Sequence, residues 1–158
     1  MRHLRPLVLA LLLLAIAAPA YADLTFIVGA NQTPSSRSVK GFALGGGGMI
    51  ATEFEYVTNG ENIVEATPAL RTFMGNLLVQ TPFAVAGFQP YATAGIGYYR
   101  ERLQTQQESA LAFNSGVGVK VRLFGPLMAR ADYRVLKLRG EPLNSTVHRV
   151  YSGIHLAF

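Results

Sequence analysis

Apolar and polar residues alternate with period two in eight separate stretches of this chain, and the polar sets carry charges of both signs. Between 127 and 135, Ala129, Ala131, Tyr133 and Val135 alternate with Arg130, Asp132 and Arg134. Between 113 and 123, Phe113, Ser115, Val117, Val119, Val121 and Leu123 alternate with Asn114, Gly116, Gly118, Lys120 and Arg122. Phe54 and Tyr56 oppose Glu53 and Glu55. Near the end, Val150, Ser152, Ile154, Leu156 and Phe158 oppose Arg149, Tyr151, Gly153 and His155. Such a pattern places the two sets on opposite faces of a β-strand.

The alternation predicts strands over 24–30, 41–48, 51–57, 68–79, 90–103, 111–123, 127–138 and 147–158. Their connections differ in kind. Polar loops are expected at 31–40, 58–67, 104–110 and 139–146, and shorter or Gly/Pro-bearing turns at 49–50, 80–89 and 124–126. Long polar loops at one end and tight turns at the other describe an eight-stranded antiparallel up-and-down β-barrel. An even strand count places both chain termini at the turn end.

The polarity of the faces decides the solvent. A water-soluble barrel keeps its apolar face inside, whereas a transmembrane barrel reverses it. An eight-stranded interior holds little beyond its own side chains. Gly95, Gly97, Gly116, Gly118 and Gly153 all fall on the charged face, where they make room for Arg and Tyr in a narrow lumen. On a water-exposed face they would only weaken the strands. The apolar faces therefore point outward. Their aromatics cluster at strand ends: Phe42, Tyr56, Phe73, Tyr98, Phe113 and Tyr133 toward the loops, and Phe26 and Phe158 toward the turns. Two such girdles mark the two interfaces of a membrane barrel.

The 158 residues suffice for one domain, and the chain has no cysteine. That excludes disulfides, thiolate metal sites and a Cys nucleophile. Residues 1–22 are expected to be a cleaved signal peptide, leaving 23–158 as the barrel. Arg2 and Arg5 precede a twelve-residue apolar run, 7–18, and Ala20-Tyr21-Ala22 supplies a peptidase site. The run is too short to span a bilayer as a helix. Loss of the leader leaves twelve basic against nine acidic residues, a net charge of +3. With no basic clustering, nucleic acid is not an expected partner.

The final stretch, Val150-Tyr151-Ser152-Gly153-Ile154-His155-Leu156-Ala157-Phe158, ends on Phe after alternating apolar residues. It resembles the C-terminal signal read by the machinery that inserts outer-membrane barrels, with Val150, Ile154, Leu156 and Phe158 as its apolar positions. Residues 75–79, 90–97 and 130–134 fall in the order seen in small bacterial outer-membrane barrels, and the whole mature chain resembles the barrel domains of the OmpA/OmpX-like family. The resemblance implies the fold and a location in the bacterial outer membrane after export. It also implies contact with outer-membrane lipid, and with the insertion machinery during assembly. It does not select one activity, because the family includes adhesins, anchors, small pores and enzymes. A monomer is expected, with no peptidoglycan-binding domain after the barrel.

The charged face supplies the main candidate site: Glu53, Glu55, Glu101 and Asp132 with Lys120, Arg122, Arg130, Arg134 and Arg149. Unpaired charges in a narrow lumen are costly, so opposite signs on different strands must meet. The set is read either as an ion-paired plug or, since cations outnumber anions in it, as a narrow anion-preferring pore. A lipid-modifying enzyme would need a His with a Ser and an acid. His148, Ser145 and Glu141 lie near one another in sequence, whereas Ser152 and His155 fall on opposite faces of one strand. Gly45 to Gly48 lacks the Lys-Ser/Thr and the helix of a phosphate loop. No metal-ligand spacing occurs, and no cofactor is expected. The expected role is structural, or binding through the outer loops. A transport pore is the first alternative and a lipid-modifying enzyme the second.

Overall fold

The structure, a computed structural model, describes residues 22–158. The leader lies outside the described residues, apart from Ala22, which opens the first strand. Eight strands follow in order: β1 (Ala22–Asn31), β2 (Arg37–Gly47), β3 (Ile50–Thr58), β4 (Ala69–Gln80), β5 (Phe88–Leu103), β6 (Gln106–Phe124), β7 (Leu127–Leu138) and β8 (Thr146–Ala157). Each pairs antiparallel with its sequence neighbour, and β1 pairs with β8 from Asp23↔Ala157 to Asn31↔Arg149, closing the barrel. Ala22 and Phe158 exchange backbone hydrogen bonds of 2.8 and 2.9 Å, tying the seam at the turn end. Among the eight strands no edge is left open.

The period-two pattern translates directly into two environments. Phe54 is 66% exposed on the outer wall, while its neighbours Glu53 and Glu55 are 6% and 2% exposed inside. Outward Phe26, Val28, Leu77, Ile96 and Val117 are likewise exposed. The closed lumen is layered rather than uniformly ionic. Leu70, Met74, Tyr99, Ala112, Leu136, Leu138 and Val147 pack together toward the loop end. Ile27, Val39, Ala43, Val57 and Tyr151 form a second apolar patch on the wall.

Two of the polar loops depart from the sequence expectation. The loop expected at 31–40 is shorter, because β2 already begins at Arg37, paired with Asn31. Residues 104–110 are not a loop: β5 and β6 pair as far as Leu103↔Gln106, leaving only Gln104 and Thr105 to turn the chain. β6 meets β7 only from Ala112, so Gln106 to Leu111 extends the β5–β6 ribbon beyond its neighbour. Where the ribbon stands clear of its neighbour it is largely exposed on both faces, and no apolar face is needed. Backbone pairing continues there while the alternation that announces it stops.

Candidate functional site

Strands β3 and β7 lie half-way round the barrel from each other, and their charges meet across the lumen. Arg130 on β7 forms a two-armed contact with Glu53 on β3: Nη1 pairs with Oε2, and Nη2 donates to Oε1 at 3.2 Å. Arg130 Nε also reaches Asp132 Oδ2 and Tyr91 Oη, each at 2.7 Å. Tyr91 donates to Asp132 Oδ1 at 2.5 Å. Arg134 bridges both acids of β3, with Nη2 3.1 Å from Glu53 Oε1 and Nη1 3.0 Å from Glu55 Oε2. The latter contact is close enough for an ion pair but is not aligned as a hydrogen bond. Tyr151 on β8 donates to Glu55 Oε2 at 2.5 Å. Arg149 joins from the same strand, 3.7 Å from Glu55 and hydrogen-bonded to Asn31 and Thr72. Asn76 and Asn114 extend the network on the far side of Glu53.

The guanidiniums are also stacked. Arg130 lies 5.1 Å from the Tyr91 ring centre and Arg134 lies 5.4 Å from that of Tyr151. Glycine makes this crowding feasible. A Cβ at Gly118 would overlap the Tyr91 phenol, and one at Gly116 would overlap the Arg134 side chain and the Tyr133 carbonyl. Desolvated charges are tolerable when paired and hydrogen-bonded this densely.

The nine charges grouped from sequence divide by depth. Glu53, Glu55, Arg130, Asp132, Arg134 and Arg149 form the centre. Lys120 lies toward the turn end, beside Asp23 at 3.8 Å and Gln80 at 3.1 Å. His155 shares that floor, hydrogen-bonded to Thr25 at 2.9 Å. Glu101 is buried at the loop end, where it accepts from the Leu143 backbone at 2.9 Å instead of meeting the central cations. Arg122 does not enter the lumen: it is exposed at the turn end, where the β6–β7 register shifts between Arg122 and Phe124. The shift breaks the alternation that assigned it inward. Without Arg122 the buried charges are four acids and four bases, so the cation excess that favoured an anion-preferring pore is gone.

Tyr91, Tyr151, Asn76 and Asn114 belong to the network but did not stand out in sequence. Their signal was the alternation itself, read at neutral rather than charged residues.

On the outer wall, Phe42, Tyr56 and Phe73 follow one another across β2, β3 and β4, with ring centres 5.8 and 6.1 Å apart. Tyr98 pairs with Phe73 on the next strand. Phe113, Tyr133 and Phe158 are exposed as well, but Phe26, expected toward the turns, lies directly opposite Phe42 in the β1–β2 register instead of at the other end of the wall. Of the C-terminal apolar positions, Val150, Ile154 and Phe158 are exposed and Leu156 is half-buried. Tyr133 contacts His148 on the same wall, Oη to Nδ1 at 2.7 Å. Among the described residues neither Ser145 nor Glu141 hydrogen-bonds to His148, and Ser152 faces outward while His155 faces inward.

A closed eight-stranded meander, apolar outside and ion-paired inside, with aromatics near its rim, has the fold of the small outer-membrane barrels. Solved structures agree. The N-terminal barrel domain of Pseudomonas aeruginosa OprF superimposes with a TM-score of 0.67 at 12% identity, over 87% of this chain and 97% of that one. Neisserial surface protein A gives 0.68 at 11% identity, over 89% and 98%. PagL, described as an outer membrane enzyme, gives 0.56 at 14% identity, over 85% and 98%. At these identities the likeness is one of fold. No protein-family model and no curated protein sequence matches the chain.

Proposed function

We propose that this protein is an integral barrel of the bacterial outer membrane, exported by its leader, whose lumen is a plug and whose role is structural or surface-binding through the loop end. The observation that carries this reading is the β3–β7 bridging. The charges that would line a conduit are paired with one another across the lumen. A passing ion would have to part several buried ion pairs, and each buried charge left without its partner costs about 3–5 kcal/mol. The enzyme reading has less support, since the His148 Nδ1 is occupied by Tyr133. We also propose a monomer, which closure supports by leaving no unpaired strand edge for a second copy to join.

The test is electrical. Purified protein reconstituted into planar bilayers is expected to give no single-channel steps above background, and regular steps would overturn the plug. Membrane placement is tested by cell fractionation and by gel mobility that changes on boiling. A protein found in the soluble fraction would overturn it.

A further inference from the structure

The lumen accounts for the buried charges, but not for a group of arginines on the outer wall. Arg71 on β4 and Arg100 on β5 are register partners, and both point outward and are exposed. Two like charges directly opposite on neighbouring strands destabilise a sheet. Among the described residues, neither forms a salt bridge. Arg102, the next outward residue on β5, has only a long 3.9 Å contact with Glu61.

Together the three arginines bound a depression of about 80 Å³ with Ala69 and Gln107. Arg71 and Arg100 also edge a larger depression of about 440 Å³ walled by Tyr56, Phe73 and Tyr98. On each of these strands the arginine lies two residues loopward of the belt aromatic: Arg71 beyond Phe73, and Arg100 beyond Tyr98.

A cationic bowl set directly above an aromatic slot, at the edge of the apolar wall, has the polarity of an amphiphile. Guanidinium forks match phosphate oxygens in two-point hydrogen bonds. An anion placed between Arg71 and Arg100 would turn their repulsion into attraction. We propose that this bowl binds the phosphate of an anionic lipid in the leaflet at the loop end, with the lipid's apolar part lying over Phe73 and Tyr98. A free phosphate would have no use for the aromatic slot, which is why the site is assigned to a lipid. The inference rests on the membrane reading above and deepens its lipid contact from a general one to a specific one.

Native mass spectrometry of the detergent-purified, full-length mature protein tests it, with phosphatidic acid, phosphatidylcholine and inorganic phosphate as probes. Phosphatidic acid is expected to be retained in preference to phosphatidylcholine. Arg71→Gln with Arg100→Gln is expected to weaken that retention roughly thirtyfold, about 2 kcal/mol. Arg71→Lys with Arg100→Lys keeps the charge and should retain the preference in weakened form. Phe73→Ser with Tyr98→Ser should weaken the lipid and leave inorganic phosphate unaffected.

Equal retention by wild type and the glutamine pair would overturn the site. So would an equal loss on Arg122→Gln, which removes an exposed arginine at the opposite end of the barrel. Inorganic phosphate that displaces the lipid at equal concentration would reduce the bowl to a simple anion site and also overturn the proposal. Failure of the wild type to show boiling-dependent gel mobility would instead overturn the membrane reading. A folded wild type without lipid preference overturns the lipid site alone.

Discussion

Arg130 and Glu53 lie 77 residues apart in sequence and on strands half a circumference apart, yet their side chains meet in the middle of the barrel. The pair acts as a strut across the lumen, and Arg134 doubles it through Glu53 and Glu55.

Removing one cation leaves the buried network one negative charge out of balance. Arg134→Leu takes a shared partner from Glu53 and Glu55, leaving Glu53 to Arg130 and Glu55 to Arg149 and Tyr151, and is expected to cost about 3–5 kcal/mol. Urea titration of folding into lipid vesicles measures this directly. A loss below about 1 kcal/mol would mean that water already reaches the network. Arg37 is a poor control, because it opens β2 and donates to the backbone oxygens of Gly60 and Thr67. Exposed Arg122 serves better.

The glycine face makes a second, steric prediction. Gly118→Val would drive a branched side chain into the Tyr91 phenol and displace it from Asp132 and Arg130. Overpacking of this kind costs about 1–3 kcal/mol. Tyr91→Ala in the same chain should recover part of the loss. A double-mutant cycle showing no coupling between the two sites would refute the contact.

The outer wall predicts a dependence on depth. Phe54 sits mid-way along β3 and faces outward. Phe54→Arg should cost roughly 2–4 kcal/mol at the bilayer midplane, against about 0–1 kcal/mol for an arginine near an interface. Ile50→Arg, on the same outward face at the turn end of β3 and opposite Val79, supplies the interface comparison. Equal costs at the two positions would contradict the membrane placement of the wall.

The leader gives a fourth expectation. N-terminal sequencing of protein recovered from the membrane fraction should begin at Asp23. A mature chain that still carried the apolar run of residues 7–18 would instead point to a retained anchor.

Much of this architecture is legible in the sequence, because in a membrane barrel each residue faces one of only two solvents. Glu53 and Phe54 announce opposite faces at once. The start of β6 is not legible, since Gln106 to Ser109 pair in water, where both faces can be polar. Arg122 misleads for a related reason: the alternation runs smoothly into a register shift that only the partner strand reveals. Which charges would meet also lay beyond the pattern. Alternation says that Glu53 and Arg130 share an interior. That they face each other follows only from counting four strands round a closed ring. The outward arginines were individually visible, but Arg71 and Arg100 become a pair only through the β4–β5 register.

The struts also bear on the order of assembly. No sequence of events can pair Glu53 with Arg130 until β7 has arrived, and Tyr151 reaches Glu55 from β8, the last strand of the chain. Until then β3 carries two carboxylates with no cross-lumen partner, on a surface that must remain hydrated. A half-built sheet of this protein therefore has to hold water along its future interior. Closure of β1 against β8 then completes the ring that shuts that interior.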